Sequence, residues 1–143
     1  MINDGLKITG AVAIALNGKV VKEIPNLVVT AGKEYVASRM KDASATAMSH
    51  MAIGTGNTTA AAGQTTLTTE VARGALTSTT VSTNTIAYVE TFAAGTGTGA
   101  IIEAGVFNAS SGGTMLCRTV FTAGVVNKGA SDEMTITWTI TVS

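Results

Sequence analysis

Apolar residues and threonine alternate strictly along the last part of the chain, DEMTITWTITVS at positions 132–143. The apolar side chains of this run are Met134, Ile136, Trp138, Ile140 and Val142, and threonine occupies each position between them. A period of two residues places the two sets of side chains on opposite faces of a β-strand. The pattern therefore predicts a strand whose apolar face lies in a core, with Trp138 as the central core aromatic.

Four more runs with strand character precede this one at intervals of roughly a dozen residues, which is typical of β-sandwiches and barrels. They cover 75–83, 85–92, 100–109 and 114–121, with turn residues at Asn84, 95–99 and 110–113. The runs are rich in β-branched residues, which fit a pleated, half-buried surface. The sequence thus predicts an all-β chain with Phe92 and Phe107 in its core.

The first 42 residues predict a hairpin followed by a helix. Asn17-Gly18 lies between two apolar runs, and this dipeptide accepts the positive φ angles of a two-residue hairpin turn. Residues 31–42 form the best helical segment, with Thr30 as its N-cap. Val36 and Met40 are spaced i, i+4, so we expect this short helix to lie on the side of the β core and to bury both residues.

The segment between the helix and residue 75 predicts a short buried strand at 51–53 and then a long ordered loop. The loop, GTGNTTAAAGQTTLTTEVAR, is expected to contain one helical turn before Glu70. Loops of this length without regular structure are usually functional or form an interaction surface.

Composition limits the classes of function. The chain has 143 residues, which predicts one domain spanning 1–143. Only 13% of the residues are charged and the net charge is zero, which argues against nucleic-acid binding. No run reaches 18 apolar residues and no secretory signal begins the chain, so we expect no membrane partner and synthesis in the cytoplasm. A charge-poor surface also favours self-association.

The segment Gly95-Thr96-Gly97-Thr98-Gly99-Ala100 matches the glycine pattern of dinucleotide-binding loops. That function requires a helix after the glycines and an acidic residue about 20 positions later. The residues that follow predict a strand, and the segment MLCRTV at 115–120 contains no acid. The glycines are therefore interpreted as a turn between strands, and no cofactor is expected.

The remaining polar residues predict structural roles more readily than catalytic ones. His50 is the only histidine and Cys117 the only cysteine, so neither a metal cluster nor a disulfide is expected. Glu90 and Glu103 flank the glycine turn, and a hydrolase using this carboxylate pair is the enzymatic alternative. The favoured interpretation is an ion pair of Glu103 with Arg73 or Arg118, and a local pair between Glu70 and Arg73.

Segments in a particular order give the chain a resemblance to a known family. They are NLVVTAGKEYVASRM at 26–40, MAIGTGNTTAAAGQTTLTTEVAR at 51–73, IIEAGVFNASSGGTMLCRTVF at 101–121 and ITWTITV at 136–142. Together they resemble small structural proteins of tailed bacteriophages, namely capsid cement or decoration proteins and related tail-fibre modules. The resemblance implies a jelly-roll-like antiparallel β-sandwich, self-association as a homodimer or homotrimer, and no enzyme activity.

The resemblance also implies attachment to the virion. A compact chain without a repetitive shaft favours a cement protein that binds the major capsid protein on the capsid surface. The alternative is a tail-fibre or baseplate module that binds a host receptor or glycan. The candidate contacts are the exposed loops at 54–64 and 95–99 and an extended N-terminal arm at 1–8. They comprise Met1, Ile2, Asn3, Thr55, Asn57, Thr58, Thr59, Thr96 and Thr98.

Overall fold

The computed structural model describes residues 5–41, 45–121 and 124–143, which form twelve β-strands and one α-helix. In chain order these elements are β1 (Ile8–Leu16), β2 (Lys19–Pro25), β3 (Leu27–Val28), α1 (Thr30–Lys41), β4 (His50–Gly54), β5 (Glu70–Ala75), β6 (Ser78–Ser82), β7 (Thr85–Phe92), β8 (Gly99–Ile101), β9 (Glu103–Phe107), β10 (Met115–Val120), β11 (Val126–Lys128) and β12 (Met134–Val142). Two of the predicted strands are divided in the structure. In the run 75–83, the second sheet ends with β5 at Ala75 and the first sheet begins with β6 at Ser78. In the run 100–109, Ile102 separates β8 from β9.

The strands form two five-stranded antiparallel sheets and one small ribbon. The first sheet has the order β2-β1-β12-β7-β6, the second has the order β3-β10-β9-β4-β5, and β11 pairs with β8. The predicted all-β class, with one short helix beside the sheets, is confirmed. The jelly-roll connectivity is not confirmed by these strand orders.

The main core lies between the two sheets, and β12 contributes its apolar face as the central strand of the first sheet. Trp138 is fully buried opposite Val12 on β1 and Tyr88 on β7. Met134, Ile136 and Ile140 are buried on the same face of β12, and Phe92 lies in the same cluster. The second sheet faces them with side chains that include Met51, Ile53, Val106 and Cys117.

A second apolar cluster covers the opposite face of the second sheet. It consists of Val29, Ala52, Leu67, Phe107 and Met115. Leu67 belongs to the long segment between β4 and β5, so this segment is packed against the sheet through an apolar side chain. The predicted helical turn before Glu70 is wrong, because residues 55–69 contain only a turn at 62–63, where the N–H of Gln64 donates to the carbonyl oxygen of Ala61, and β5 begins at Glu70.

The predicted turn at Asn17-Gly18 joins β1 to β2, with φ angles of 51° and 81° at these two residues. In the turn between β6 and β7 it is Thr83, with φ of 54°, and not Asn84 that has the positive φ. Asn84 instead donates its side-chain amide to the carbonyl oxygen of Val142 at 2.9 Å, which joins this turn to the end of β12.

Helix α1 contacts β10 near its start, and this position corrects one of the predicted core residues. Gly32 is buried so close to the backbone of Leu116 that any side chain would collide with it. Tyr35 and Val36 are half-buried against the core. Met40 was expected in the core, but it is 80% exposed. The first two turns of the helix pack on the second sheet and the core, whereas Met40 in the last turn points into solvent.

The residue before β1 is hydrogen-bonded to the residue after β12. Lys7 and Ser143 exchange two backbone hydrogen bonds of 2.6 and 2.8 Å, and Ile8 lies opposite Val142. Of the predicted arm at 1–8, Ile8 begins β1 and Lys7 is hydrogen-bonded to Ser143. Met1, Ile2 and Asn3 lie outside the described residues.

Candidate functional site

The candidate site is built on a buried ion pair between Glu103 on β9 and Arg118 on β10. Both side chains have no solvent exposure. Arg118 donates from Nη2 and Nε to Oε2 of Glu103, at 2.7 and 3.2 Å. The two residues lie near each other because β9 and β10 form an antiparallel hairpin with Gly105 opposite Arg118. The sequence predicted an ion pair of Glu103 with Arg73 or Arg118, and in the structure its partner is Arg118.

Glu103 also binds the backbone of the long segment between β4 and β5. The amide N–H groups of Thr69 and Gly56 donate to Oε1 at 2.7 and 3.1 Å, and that of Thr68 donates to Oε2 at 2.9 Å. Together with Arg118, these groups give the two carboxylate oxygens five hydrogen bonds. Through these bonds the buried carboxylate of Glu103 binds both ends of the loop, and the number of donors satisfies its charge.

Arg118 holds the middle of the same loop. Its Nη1 donates to the carbonyl oxygen of Thr58 and to Oε1 of Gln64, both at 2.9 Å. Its Nη2 also donates to Oγ1 of Thr68 at 3.2 Å. Gln64 in turn donates to the carbonyl oxygen of Thr59 at 3.0 Å. The planar guanidinium thus fixes several parts of the loop at once, which a lysine could not do in the same geometry.

Gly56 must remain without a side chain for this loop to close. A Cβ at this position would lie 2.5 Å from Cβ of Thr68 and 2.7 Å from Oε1 of Glu103. Real Cβ atoms do not approach other atoms so closely, so the glycine of this GTG segment serves backbone approach.

The glycine-rich turn between β7 and β8 meets this loop where β8 begins, because a Cβ on Gly99 would lie 3.9 Å from Cγ2 of Thr55. Gly97, with φ of 67°, packs so closely on Ile53 that an added Cβ would lie 2.6 Å from its Cδ1 atom. Buried Lys128 on β11 donates from Nζ to the carbonyl oxygen of Ala93 at 2.9 Å. As the sequence predicted, this turn is followed by a strand, β8, and not by a helix.

The structure therefore places the two predicted contact loops next to each other, and we call residues 55–69 and 93–98 the loop platform. Its exposed residues include Thr55, Asn57, Thr58, Thr59, Thr96 and Thr98. Neither segment contains a charged residue. Each is held from below by one buried cation, Arg118 or Lys128. The sequence predicted the exposed residues of the two loops but not the hydrogen bonds that Gln64 and Lys128 make to hold them. The only sequence signal for these two residues is that polar side chains of this size are scarce in the chain.

Glu70 and Arg73 form the predicted local pair and also fix a distant turn. Arg73 donates from Nε and Nη2 to the two oxygens of Glu70, at 2.9 and 2.7 Å. Its guanidinium lies 3.8 Å from the ring centroid of Phe107 and donates to the carbonyl oxygens of Ala109 and Gly112. This arginine stabilises the turn between β9 and β10 at the other end of the second sheet.

Glu90 and Glu103 are not brought together. Glu90 projects from β7 toward the second sheet, where its carboxyl carbon lies 3.0 Å from the position a Cβ on Gly74 would take. Glu103 projects from the far face of that sheet, which it shares with Phe107. The carboxylate pair of the enzymatic alternative is therefore separated by a β-sheet.

His50 and Cys117 lie apart from the loop platform. His50 is half-buried, and its Nδ1 lies 2.8 Å from Oγ of the adjacent Ser49. Cys117 is fully buried, and burial raises the pKa of its thiol well above the ordinary value. Within the described ranges no three His, Cys, Asp or Glu residues come close enough to hold a metal ion.

Glu90 gives the first testable prediction. Its Oε1 accepts the N–H of Thr91 at 2.8 Å, whereas no described residue donates a hydrogen bond to its buried Oε2. Burial raises the pKa of this carboxyl above its ordinary value, so the folded state binds the proton more tightly than the unfolded state. This contribution to stability is present below the unfolded pKa and is lost as the pH rises through the folded pKa.

We therefore expect Glu90→Gln to unfold at a higher urea concentration than the wild type at pH 7, and at nearly the same concentration at pH 4. Urea midpoints measured across this range test the expectation. Glu23→Gln, at an exposed carboxylate on β2, is the control and should leave the pH profile unchanged. A Glu90→Gln profile parallel to that of the wild type would contradict the assignment.

In the part of the chain that the structure describes, no helix is long and apolar enough to span a bilayer. No family model matches the chain, and neither a curated protein nor a solved structure does.

Proposed function

We propose that this chain is a structural virion protein, a capsid cement or decoration protein that binds the outer capsid surface and bridges subunits of the major capsid protein. The observation that carries this proposal is the loop platform, an uncharged surface whose two segments are held by the buried Glu103–Arg118 pair and by buried Lys128. The resemblance of the segments around this pair to small phage structural proteins supports the same function.

The loop platform suits binding to another protein for two physical reasons. Its backbone is already fixed by hydrogen bonds to Glu103 and Arg118, so docking would cost little conformational entropy. It also has no charged side chain that must lose its hydration on contact. Threonine side chains offer a methyl group for packing and a hydroxyl group that both donates and accepts hydrogen bonds.

Binding across a junction between capsid subunits would stabilise the shell by mass action. A protein that binds only the assembled form shifts the equilibrium toward that form. Each contact can be weak, because many copies bound to one shell act together and self-association links neighbouring copies.

The copy number per virion tests the location. We expect quantitative mass spectrometry of virions from the phage that encodes the chain to find it in hundreds of copies, comparable with the major capsid protein. A handful of copies would favour the alternative of a tail-fibre or baseplate module that binds a host receptor or glycan. Absence from the virion would refute both locations.

The loop platform has its own prediction. The variant Asn57→Glu/Thr59→Glu places two charges on exposed side chains and should bind capsids stripped of the protein at least about tenfold more weakly. The reason is that a docked carboxylate must be dehydrated without a partner.

Ser110→Glu/Ser111→Glu is the matched control, because it adds two charges at exposed positions in the turn after β9, at the other end of the second sheet. It should bind as the wild type does. Circular dichroism and a thermal melt show whether each variant is folded. Equal binding of the platform variant and the control would remove the loop platform as the contact surface.

A further inference from the structure

The first sheet ends in two edge strands of different character. At one edge, β2 carries Lys19, Lys22 and Glu23 and ends at Pro25. Charged side chains and proline at an edge discourage pairing with another chain. At the other edge, β6 has the sequence STTVS, and all five of its residues are exposed. It has none of the features that protect β2.

The region around β6 is free of charge. Residues 74–89, between Arg73 and Glu90, contain no Asp, Glu, Lys, Arg or His. Among the described residues β6 pairs with β7 alone, with Thr80 opposite Ala87. In such an edge strand alternate N–H and C=O groups point away from the sheet, where they can pair with another extended chain.

An apolar row leads across the first sheet to this edge. Val81 on β6 lies opposite Ile86 on β7, which lies opposite Ile140 on β12. Exposure rises along the row: Ile140 is 4% exposed, Ile86 is half-buried and Val81 is 70% exposed. A further strand placed beside β6 would cover Val81.

We propose that β6 pairs with β6 of a second copy, antiparallel about a twofold axis at Thr80, so that the first sheets of two protomers form one ten-stranded sheet. In this register Thr79 of one copy lies opposite Val81 of the other, and the two Thr80 side chains meet. The backbone pairing completes the open ladder, and the apolar row gains a neighbour on each copy.

A second copy of this chain fits the edge better than an unrelated protein does. Antiparallel pairing about a twofold axis is self-complementary, so the length and alternation of β6 match those of its copy. Because residues 74–89 contain no charged residue, pairing of the two β6 strands brings no like charges of this segment together. This inference specifies the self-association that the proposed function includes, and it rests on that part of it.

The substitution Thr80→Lys tests the proposal. Two lysines would then lie directly opposite each other, where side chains are about 5 Å apart, and like charges at that position oppose pairing. We expect the wild type to be a dimer by analytical ultracentrifugation at micromolar concentration. At a concentration where the wild type is a dimer, we expect Thr80→Lys to sediment as a monomer, because its dissociation constant rises by roughly tenfold or more. Thr80 is exposed, so the variant should keep the thermal unfolding midpoint of an isolated protomer.

A charge swap makes the test specific for the register. Thr80→Glu alone should also be monomeric, and an equimolar mixture of Thr80→Lys with Thr80→Glu should regain a dimer containing one copy of each. Val20→Lys, which adds the same charge at the exposed edge strand β2, is the control and should remain dimeric.

Three outcomes would each overturn the proposal: a monomeric wild type, a dimeric Thr80→Lys variant, or a mixture that does not reassociate. The measurement uses the isolated protein. Failure here leaves the capsid-binding test unaffected, and absence of the protein from virions leaves this test unaffected.

Discussion

Arg118→Met is expected to lower the free energy of unfolding by about 3–5 kcal/mol, because it leaves the buried carboxylate of Glu103 without its counter-ion. Methionine keeps much of the length of the side chain and removes its charge. The total stability of a domain is about 5–15 kcal/mol, so this loss is a large part of it. Denaturation in guanidinium chloride measures the change.

The loop platform should respond before the rest of the protein. Thr58, Gln64 and Thr68 lose their hydrogen bonds to the guanidinium in this variant. Limited proteolysis should therefore cut within 56–68 under conditions in which the wild type remains intact. Adding Glu103→Gln to Arg118→Met should recover part of the stability, since the uncharged amide removes the unpaired charge.

Lys19→Met is the control for this series, because it removes an exposed cation on β2 and should change stability little. If Arg118→Met unfolds at the same denaturant concentration as Lys19→Met, the buried pair does not hold the loop. Recovery in the double variant separates loss of charge balance from simple loss of packing.

Trp138→Ala is expected to cost about 3–5 kcal/mol through the cavity that it leaves. Trp138 is the largest fully buried side chain of the described residues and lies on the central strand of the first sheet. Its indole N–H is buried without a hydrogen-bond acceptor among the described residues, so its removal relieves a small cost that offsets only part of the cavity. Denaturant unfolding followed by circular dichroism measures the loss.

Met40→Ala provides the contrast. The sequence predicted both Met40 and Trp138 in the core, but Met40 is 80% exposed at the end of α1. We expect this substitution to change stability by less than about 0.5 kcal/mol. A loss comparable with that of Trp138→Ala would mean that α1 is packed on the β core along its whole length.

The strand pattern was predictable where burial on one face dominates. The alternation from Met134 to Val142 requires no information beyond the chain itself, because successive side chains of a strand point to opposite faces. The hairpin at Asn17-Gly18 was equally local, since these two residues tolerate positive φ. By contrast β5 was missed, because its sequence EVARGA has no alternation and lies at the edge of a sheet.

The candidate site was predictable only in part. The exposed threonines of the loop platform follow from a long segment without charge or periodicity. The choice between Arg73 and Arg118 as the partner of Glu103 does not follow from spacing. Arg73 forms a salt bridge with Glu70 and lies over the ring of Phe107. The hairpin register of β9 and β10 instead places Arg118 beside Glu103.

The sequence by itself determined the all-β class, the faces of the central strand and the uncharged character of the loops. Only the tertiary structure decided that Glu90 and Glu103 lie on opposite sides of the second sheet, that Met40 is exposed, and that Arg118 and Lys128 hold the two contact loops side by side. The physical reason is one of range. Side-chain periodicity and turn conformations depend on neighbouring residues, whereas strand register and sheet packing join residues that are distant in the chain.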